Sequence, residues 1–460
     1  MRMAKALVLT MAMSAAALHT RDAAACGGCF VGPQENTQIT GERMLLTLSQ
    51  KQTTLYDEIT YSGSPSSFAW VLPIKGLASI GLSSDALFQN LGQDTQVTIS
   101  APVVNCNPGG CANGGAFDGT SGAGGGGTSS GTGGVTVISQ EVVGPYETVQ
   151  LQSTDPMALR NWLAMHGYNV PAADGPVIDA YVAEGFNFLA LKLVPGQGVS
   201  AMRPVRVTTP GATPTLPLRM VAVGSGAITP ITLWVIAEGR YETVNLPSSQ
   251  IDPAGLVWNW DTQSSNYTTL KQNVFAATNN KGWVVEAAEP FSMFTIQDQL
   301  SYLVQSDPVG SGYADANGMN ADKNLAEDMT TLFAGIPDGS VWITRFEGAL
   351  SREALSADLQ IAAAADQTVL NRYFQVTTTI GTAPVCPPPV QCGTSGNGGF
   401  TQGSGWPWAT GGGGAGGNGG NGGGGCNVTS GDTRDAFFGG AALVAALALA
   451  RRRPRRAARG

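Results

Sequence analysis

Residues 186–194 read Phe-Asn-Phe-Leu-Ala-Leu-Lys-Leu-Val, an apolar run of strand length that predicts a buried strand. Other segments rich in strand-favouring residues lie on either side of it, separated by turn-prone stretches such as Ser-Gly-Ser-Pro at 62–65. The other predicted strands are 44–48, 53–61, 68–74, 95–102, 135–143, 148–152, 205–209, 216–223, 231–237, 283–286 and 341–346. This density of strands predicts a β-rich body.

Helical patterns are fewer and lie between the strands. An amphipathic helix is predicted over 155–166, with Pro156 in its first turn and either Thr154 or Asp155 as its N-cap. The other predicted helices are 84–91, 177–184, 295–305, 322–333 and 353–364. The expected fold class is therefore α+β: a single large β-rich body with several peripheral helices, followed by a Gly-rich stalk and a C-terminal transmembrane segment.

Composition separates the body from the rest of the chain. The 460 residues are 43% hydrophobic and 13% charged, which is enough apolar material for a core and argues against a wholly disordered protein. Half of the 62 glycines lie in two low-complexity stretches, 107–134 and 393–425. The predicted organisation is a signal peptide at 1–25, a body at 26–380 with the Gly-rich loop 107–134 inserted, a Pro/Gly-rich stalk at 381–425 and a sorting tail at 426–460.

The N-terminus has the pattern of a secretory signal. Arg2 and Lys5 precede a mostly apolar run at 6–18, and small residues at 23–25 suit a cleavage site. The specific prediction is cleavage before Cys26. Lipidation of Cys26 is an alternative, since a Cys directly follows the small residues.

The C-terminus combines a Cys, an apolar segment and an Arg cluster. None of the fifteen residues of 436–450 is charged, and the segment would span roughly 22 Å as a helix. An Arg cluster follows at 451–459, and Cys426 precedes the segment in a Gly-Gly-Cys-Asn context. This arrangement resembles the MYXO-CTERM sorting tails of myxobacterial surface proteins. The resemblance implies processing near Cys426 and a final place on the outer cell surface, so the membrane and the export and sorting machinery are the expected partners. A plain C-terminal membrane anchor is the alternative, and under the positive-inside rule the body then faces outward.

The charge of the body argues against several functions. Between residues 26 and 433 there are 15 basic and 31 acidic residues, a balance that opposes binding to nucleic acid and to anionic lipid. The chain has two His, and His19 lies in the predicted signal, so only His166 is left in the body. One His rules out multi-His metal sites and leaves little room for Ser–His–Asp catalysis. His166 lies at the end of a predicted helix, where a favourable dipole interaction accounts for it.

The cysteines predict disulfides in an exported chain. Apart from Cys426, the tail residue, they fall into three close groups whose pairing is left open: Cys26 and Cys29, Cys106 and Cys111, and Cys386 and Cys392. The group at Cys26 and Cys29 has two further interpretations, a redox-active CxxC pair or a metal site. The first would need a preceding strand and the second further ligands, and the sequence supplies neither.

One acidic segment is a weak calcium candidate. Spaced side-chain oxygens are supplied by Asp315, Asn317, Asn320 and Asp322. The EF-hand pattern fails, because Met319 occupies the fifth loop position and the Glu expected at the twelfth is absent. A solvated loop leading to an Asp322-capped helix is the preferred interpretation, so no metal and no cofactor is expected.

Two further pairs of residues are considered and not assigned a function. Asp57 and Glu58 are adjacent on a predicted strand and point to opposite faces, so they do not form a catalytic carboxylate pair. Trp258 and Trp260 share one face of a strand, which suits either core packing or stacking against a sugar. The sequence singles out no catalytic residue.

Six short motifs follow one another along the body: Ala25-Cys26-Gly27-Gly28-Cys29-Phe30, Phe68-Ala69-Trp70-Val71-Leu72-Pro73, Gly144-Pro145-Tyr146-Glu147, Trp162-Leu163, Gly167-Tyr168-Asn169-Val170-Pro171 and Phe188-Leu189-Ala190-Leu191-Lys192-Leu193. Their order resembles that of the family called domain of unknown function 2330, and the resemblance extends over most of 26–380. That family has no established activity, so the resemblance implies a domain extent and a location and no mechanism.

The function expected from the sequence is that of an exported protein anchored at the cell surface. It would be a non-enzymatic envelope module that binds or scaffolds a ligand of unknown identity. The alternative is an extracytoplasmic enzyme, either a thiol oxidoreductase that uses Cys26 and Cys29 or a hydrolase based on carboxylates.

Overall fold

The computed structural model describes residues 29–31, 38–62, 68–104, 136–165, 170, 172–196, 201–223 and 225–385. The strands are β1 Cys29–Val31, β2 Gln38–Leu48, β3 Gln52–Ser62, β4 Phe68–Ile74, β5 Ser79–Leu82, β6 Thr98–Ser100, β7 Thr136–Val143, β8 Tyr146–Gln152, β9 Asn187–Leu193, β10 Val205–Pro210, β11 Thr215–Leu216, β12 Ile228–Glu238, β13 Tyr241–Thr243, β14 Ser248–Ser249, β15 Val257–Asn259, β16 Ser264–Ser265, β17 Trp283–Pro290, β18 Val341–Ser351, β19 Leu359–Ala363, β20 Tyr373–Gln375 and β21 Thr378–Ile380. The α-helices are α1 Asp85–Thr95, α2 Pro156–Met165, α3 Gly175–Ala183, α4 Leu218–Val221, α5 Tyr267–Ala277, α6 Met293–Ser306 and α7 Ala321–Leu332.

The larger sheet has eight strands in the order β14-β17-β18-β12-β2-β3-β10-β5. Most neighbours are antiparallel, and β2 lies parallel to β12 near the middle of the sheet. Leu45 of β2 is opposite Trp234 of β12 on one side and Tyr56 of β3 on the other. All three side chains are buried, as expected for strands with both faces covered.

The smaller sheet has five antiparallel strands in the order β1-β4-β9-β8-β7. Its central strand β9 is the apolar run at 187–193, and the prediction of a buried strand there is confirmed. Phe188 and Leu189 are both fully buried although they point to opposite faces. Both faces of this sheet are therefore covered.

The two sheets pack face to face, and helices cover the outer face of each. The core between the sheets includes Leu46 and Leu55 from the larger sheet and Leu191 from the smaller one. A second core lies between the larger sheet and α1, α6 and α7, and a third lies between the smaller sheet and α2, α3 and α4. The chain is thus a β-rich α+β protein, as predicted.

Two predicted elements are wrong. The strand predicted at 216–223 is the short β11 followed by the helical turn α4, which begins after Pro217. The helix predicted at 353–364 is a 3-10 turn followed by β19, in which buried Leu359 and Ile361 alternate with exposed Gln360. Alanine content favoured a helix there, whereas the period-two burial is that of a strand.

Helix α5 was not predicted, because Phe275 is its one buried residue and it has no apolar stripe.

Smaller differences lie at the ends of elements. Asp155 caps α2, since its Oδ1 accepts a hydrogen bond from the N–H of Met157. Within the part of the chain described, no helix is long and apolar enough to cross a membrane. The Gly-rich loop 107–134, most of the stalk and the predicted transmembrane segment 436–450 lie outside the described residues, as does the unit 390–460.

Candidate functional site

A cleft opens between the two sheets at one end of the inter-sheet core. About 560 Å³ of space lies between its walls, counting the part that is open to solvent. Its apolar walls come from both sheets and from the segment before β9: Leu46, Leu55, Leu72, Pro73, Ile74, Phe186, Val207 and Pro217. Four threonines add hydroxyl groups: Thr53, Thr209, Thr213 and Thr215. The cleft is therefore an apolar space with a few polar groups.

Strand alternation explains why these residues meet. Leu55 on β3 is directly opposite Val207 on β10, so both side chains lie on the same face of the larger sheet. Leu72 on β4 faces them from the smaller sheet. Thr53 also shapes the rim, because its hydroxyl donates to the carbonyl of Gly211 at 2.8 Å and accepts from the N–H of Thr213 at 2.7 Å. The loop after β10 is thereby tied to the cleft.

The charges at the rim are already paired. Asp358 accepts hydrogen bonds from the hydroxyl of Tyr181 and from the guanidinium of Arg219, at 2.5 and 2.6 Å. Arg219 also forms a two-point ion pair with Glu184. The ammonium group of Lys75 lies 5.1 Å from the centre of the Phe186 ring. The charged residues that line the cleft are thus Lys75 and Asp358, one of each sign, so the lining favours neither charge in a ligand.

A smaller cavity lies beside Asp57, between the same two sheets. It holds about 290 Å³ of space, counting the part that is open to solvent, and it is lined by Asp57, Ile59, Trp70, Tyr146, Leu191, Met202, Arg203 and Val205. The Asp57 side chain is 6% exposed, and its Oδ1 accepts no hydrogen bond from any residue that the structure describes. Burial, together with the nearby negative charge of Glu58, raises the pKa of Asp57 to about 7. A titratable group therefore faces the cavity.

The polar groups in the cavity wall are held by their own hydrogen bonds. The hydroxyl of Tyr146 donates to the carbonyl of Arg203 at 2.8 Å and accepts from its N–H at 2.9 Å. The guanidinium of Arg203 donates to the carbonyls of Ser83 and Ala314. Arg203 is thus fixed by backbone acceptors rather than by Asp57.

Glu58 lies on the opposite face of β3, as predicted for the pair with Asp57. It forms an ion pair with Arg43 on the helix-covered face of the larger sheet. Burial raises its pKa to about 7, against the opposing effect of Arg43. Because the sheet separates them, Asp57 and Glu58 cannot act together on one substrate, and they do not form the carboxylate pair of a hydrolase.

Two charged networks tie the helices to the larger sheet. Asp328 of α7 is fully buried and accepts hydrogen bonds from Ser83, Tyr313 and Arg206. Burial raises its pKa, although Arg206 lowers it. A second network joins Lys271 of α5 to strands β17 and β18, and its other members are Tyr267, Glu286, Arg345 and Glu347. Each charge in these networks has a partner, so their arrangement is that of structural ion pairs.

Most of the predicted disulfide residues lie outside the part of the chain that the structure describes. Residues Cys26, Cys106, Cys111, Cys386, Cys392 and Cys426 lie outside the described residues, as does His166. Cys29 begins β1, where its backbone is opposite Trp70 of β4. The disulfides and the role of Cys426 therefore stay predictions, and nothing in the described residues favours a thiol oxidoreductase.

The calcium candidate is a hydrogen-bonded loop before α7. Oδ1 of Asp315 accepts from the N–H groups of Asn317 and Met319, and its Oδ2 accepts from Asn320. These bonds lower the pKa of Asp315. The helix begins at Ala321 after Asn320, so Asp322 lies in the first turn rather than at the cap. Within the described residues, no three His, Cys, Asp or Glu side chains gather as a metal site.

The tryptophan pair is packed edge to face. The rings of Trp258 and Trp260 are 6.2 Å apart at an interplanar angle of 73°, and Trp260 is buried. A sugar stacks on an open, flat ring face, so this geometry favours core packing.

The cleft and the Asp57 cavity were not predicted from the sequence. Their walls combine residues more than 150 positions apart, such as Leu55 and Val207, and no local pattern links them. One signal was present: an Asp in a run of alternating apolar residues at a position that faces the core.

Comparison with known proteins identifies one protein family. A family model described as "Uncharacterized protein conserved in bacteria (DUF2330)" matches residues 20–296, which include the strands around the cleft and the cavity. No curated protein matches the chain. Among solved structures, a mutated baculovirus P35 after caspase cleavage is similar at 10% sequence identity with a TM-score of 0.24. That match covers 46% of this chain and 75% of the other, and so low a score carries no argument.

Proposed function

The chain belongs to the DUF2330 family, and from that premise we propose that it is a binding protein whose inter-sheet cleft takes an apolar small molecule. The observation that carries the proposal is the cleft itself, whose apolar walls come from both sheets. Ligand pockets in proteins are concave and mostly apolar. The paired charges at the rim add no nucleophile or general base, so binding is favoured over catalysis.

The proposed location is the outer cell surface. The support is the secretory pattern before Cys26 and the apolar segment 436–450 with its Arg cluster, which together suit an exported chain held by a membrane anchor or a sorting tail. The membrane and the export and sorting machinery are the proposed partners. Intact mass of the protein recovered from the native envelope tests this. A mass that begins at Cys26 and ends near Cys426 is expected, and retention of both ends would overturn it.

Binding is tested by filling the cleft. Thr209 lies on β10 and lines the cleft, so Thr209→Phe would occupy part of the space without removing a core side chain. Thr268 is an exposed threonine in the first turn of α5, and Thr268→Phe serves as the matched control. The full chain is titrated with octanol by calorimetry, and thermal unfolding verifies that each variant is folded.

We expect Thr209→Phe to weaken octanol binding by about tenfold or more, equivalent to roughly 1.4 kcal/mol. Thr268→Phe should bind octanol as the unaltered chain does. No octanol binding by the unaltered chain, or equal binding by a folded Thr209→Phe variant, would show that the cleft is not the ligand site.

A further inference from the structure

The residues that line the cavity beside Asp57 follow those of the cleft along the same strands. Leu55 and Val207 are opposite one another in the cleft wall, and the next pair on that face is Asp57 and Val205 in the cavity wall. Residues two apart on a strand share a face and lie roughly 7 Å apart. A ligand that fills the cleft and extends further between the sheets would therefore reach the carboxyl group of Asp57.

The smaller sheet shows the same continuity. On β4, the step from Leu72 to Trp70 leads from the cleft wall to the cavity wall. Leu191 is directly opposite Trp70 on β9 and also lines the cavity. Aromatic and aliphatic side chains thus surround the place where the Asp57 carboxyl group lies.

One oxygen of the Asp57 carboxyl group lacks a donor. Asp57 is more than nine-tenths buried, and no residue that the structure describes donates a hydrogen bond to its Oδ1. The negative charge of Glu58 also acts on Asp57. Arg203 lines the same cavity but donates to Ser83 and Ala314 instead. A buried carboxylate without a partner is costly, and a cationic donor offsets that cost.

The walls select among cations. Calcium and magnesium ions take six or more oxygen ligands, whereas this cavity offers one carboxylate, and the polar groups of Tyr146 and Arg203 in its wall are bound to backbone groups. A protonated amine needs one anionic acceptor and is attracted by aromatic rings, here those of Trp70 and Tyr146, and the thioether of Met202 is a soft apolar neighbour. The acidic balance of the body attracts cations from solution.

We propose that the ligand of the cleft is an apolar amine, whose hydrocarbon part lies between Leu55, Val207 and Leu72 and whose ammonium group pairs with Asp57. This rests on the proposed function, because it assigns the chemical class of the ligand that the same cleft takes.

The pairing requires an ionised Asp57, so binding depends on pH. The groups that face or adjoin Asp57 are Glu42 on β2, Glu58 on β3, and Arg203 and Tyr146 in the cavity wall. Below about pH 7 the carboxyl group is protonated, and the amine must displace that proton. The affinity for the amine therefore rises with pH up to about 7 and is level above it, whereas the affinity for a neutral alcohol stays constant.

The experiment compares three probes of equal chain length: octylamine, octanol and octanoate. The full chain is titrated with each by calorimetry at pH 8 and at pH 5. The variant Asp57→Asn keeps the size of the side chain and removes its charge. Asp298→Asn changes an exposed aspartate of α6 and is the matched control.

We expect octylamine to bind about tenfold to a hundredfold tighter than octanol at pH 8, the range of a charge-assisted hydrogen bond. Octanoate should bind more weakly than octanol. Asp57→Asn should abolish the preference for the amine and leave octanol binding intact, and Asp298→Asn should change neither.

Each result is decisive. Equal binding of octanol and octylamine by the unaltered chain overturns the amine assignment and leaves the cleft as an apolar site. Binding of none of the three overturns both proposals. If Asp57→Asn fails to fold, the preference for the amine and its loss at pH 5 in the unaltered chain still decide the assignment.

Discussion

Replacing Asp57 by Asn should make the fold more stable at neutral and alkaline pH and change little near pH 4. Asn has nearly the volume of Asp and no charge to bury. The burial of Asp57 among core residues such as Met44 and Val205 penalises the ionised form alone. The effect of the substitution must therefore depend on pH, which distinguishes it from a packing change.

The magnitude follows from the pKa. The pKa of Asp57 rises from 3.8 to about 7 on folding, and one unit corresponds to about 1.4 kcal/mol. Between these values the folded state retains a proton that the unfolded state has lost, so stability falls as pH rises from about 4 to about 7 and is level above that. The Asp57→Asn variant has no charge at this position, so its stability does not fall in this way. Its free energy of unfolding, relative to that of the unaltered chain, should therefore increase by on the order of 4 kcal/mol between pH 4 and pH 7.

The assay is urea unfolding of the full chain at several pH values from 4 to 8, without ligand. Asp298→Asn is the control, since this exposed carboxyl group pays no comparable cost. The quantity compared is the difference in unfolding free energy between variant and unaltered chain at each pH. A difference for Asp57→Asn that stays constant from pH 4 to pH 8 would refute the reasoning, whatever its size.

Three further substitutions test how the helices are held on the larger sheet, each by urea unfolding at pH 7. Asp328→Asn should cost about 3 kcal/mol, because the buried guanidinium of Arg206 would keep only the exposed carboxylate of Glu327 as an ionic partner, and a cost below 1 kcal/mol would contradict that. Gly81→Ala should cost about 1–3 kcal/mol, because the added methyl group would overlap the same guanidinium, and a neutral result would show that Arg206 can move aside. Glu286→Gln should cost about 2 kcal/mol, because the charges of Lys271 and Arg345 would then share a single carboxylate, and equal stability would show that this network contributes nothing.

Local pattern was sufficient where a strand alternates or is wholly apolar. The predicted segment 68–74 has the bounds of β4, and β9 lies within the predicted 186–194. Local pattern was insufficient where the composition of a segment favours a helix but its pairing partners make it a strand. The alanine-rich segment at 353–364 favours a helix on its own, but Leu359 pairs with Leu216 of β11 and Ile361 with Thr243 of β13. Those partners lie more than 100 residues away, so the sequence around residue 359 does not indicate that this segment pairs as a strand.

The cleft could not be predicted for the same reason. Leu55, Val207 and Leu72 each belong to a strand that was predicted, but nothing in the three segments indicates which strands are neighbours or which sheets face one another. The cleft lies between the two sheets at the end where β3 begins and β10 ends. That is a property of sheet packing, which the period of a strand does not determine.

The alternation of side chains along β3 is enough to predict that a carboxyl group is buried. Adjacent residues on β3 point to opposite faces, so a strand with acidic residues at both 57 and 58 places one of them on each face. A strand at the edge of a sheet, or with one face in water, can accommodate that freely. In a strand whose neighbours are apolar on both faces, at least one carboxyl group must be buried with an apolar surrounding, and its pKa must rise. The flanking residues Leu55 and Ile59 identify Asp57 as the residue on the core face. Because Asp57 and Glu58 point to opposite faces, they cannot share a catalytic role. The same alternation places Asp57 between the two sheets, where its carboxyl group could accept a hydrogen bond from a cationic ligand.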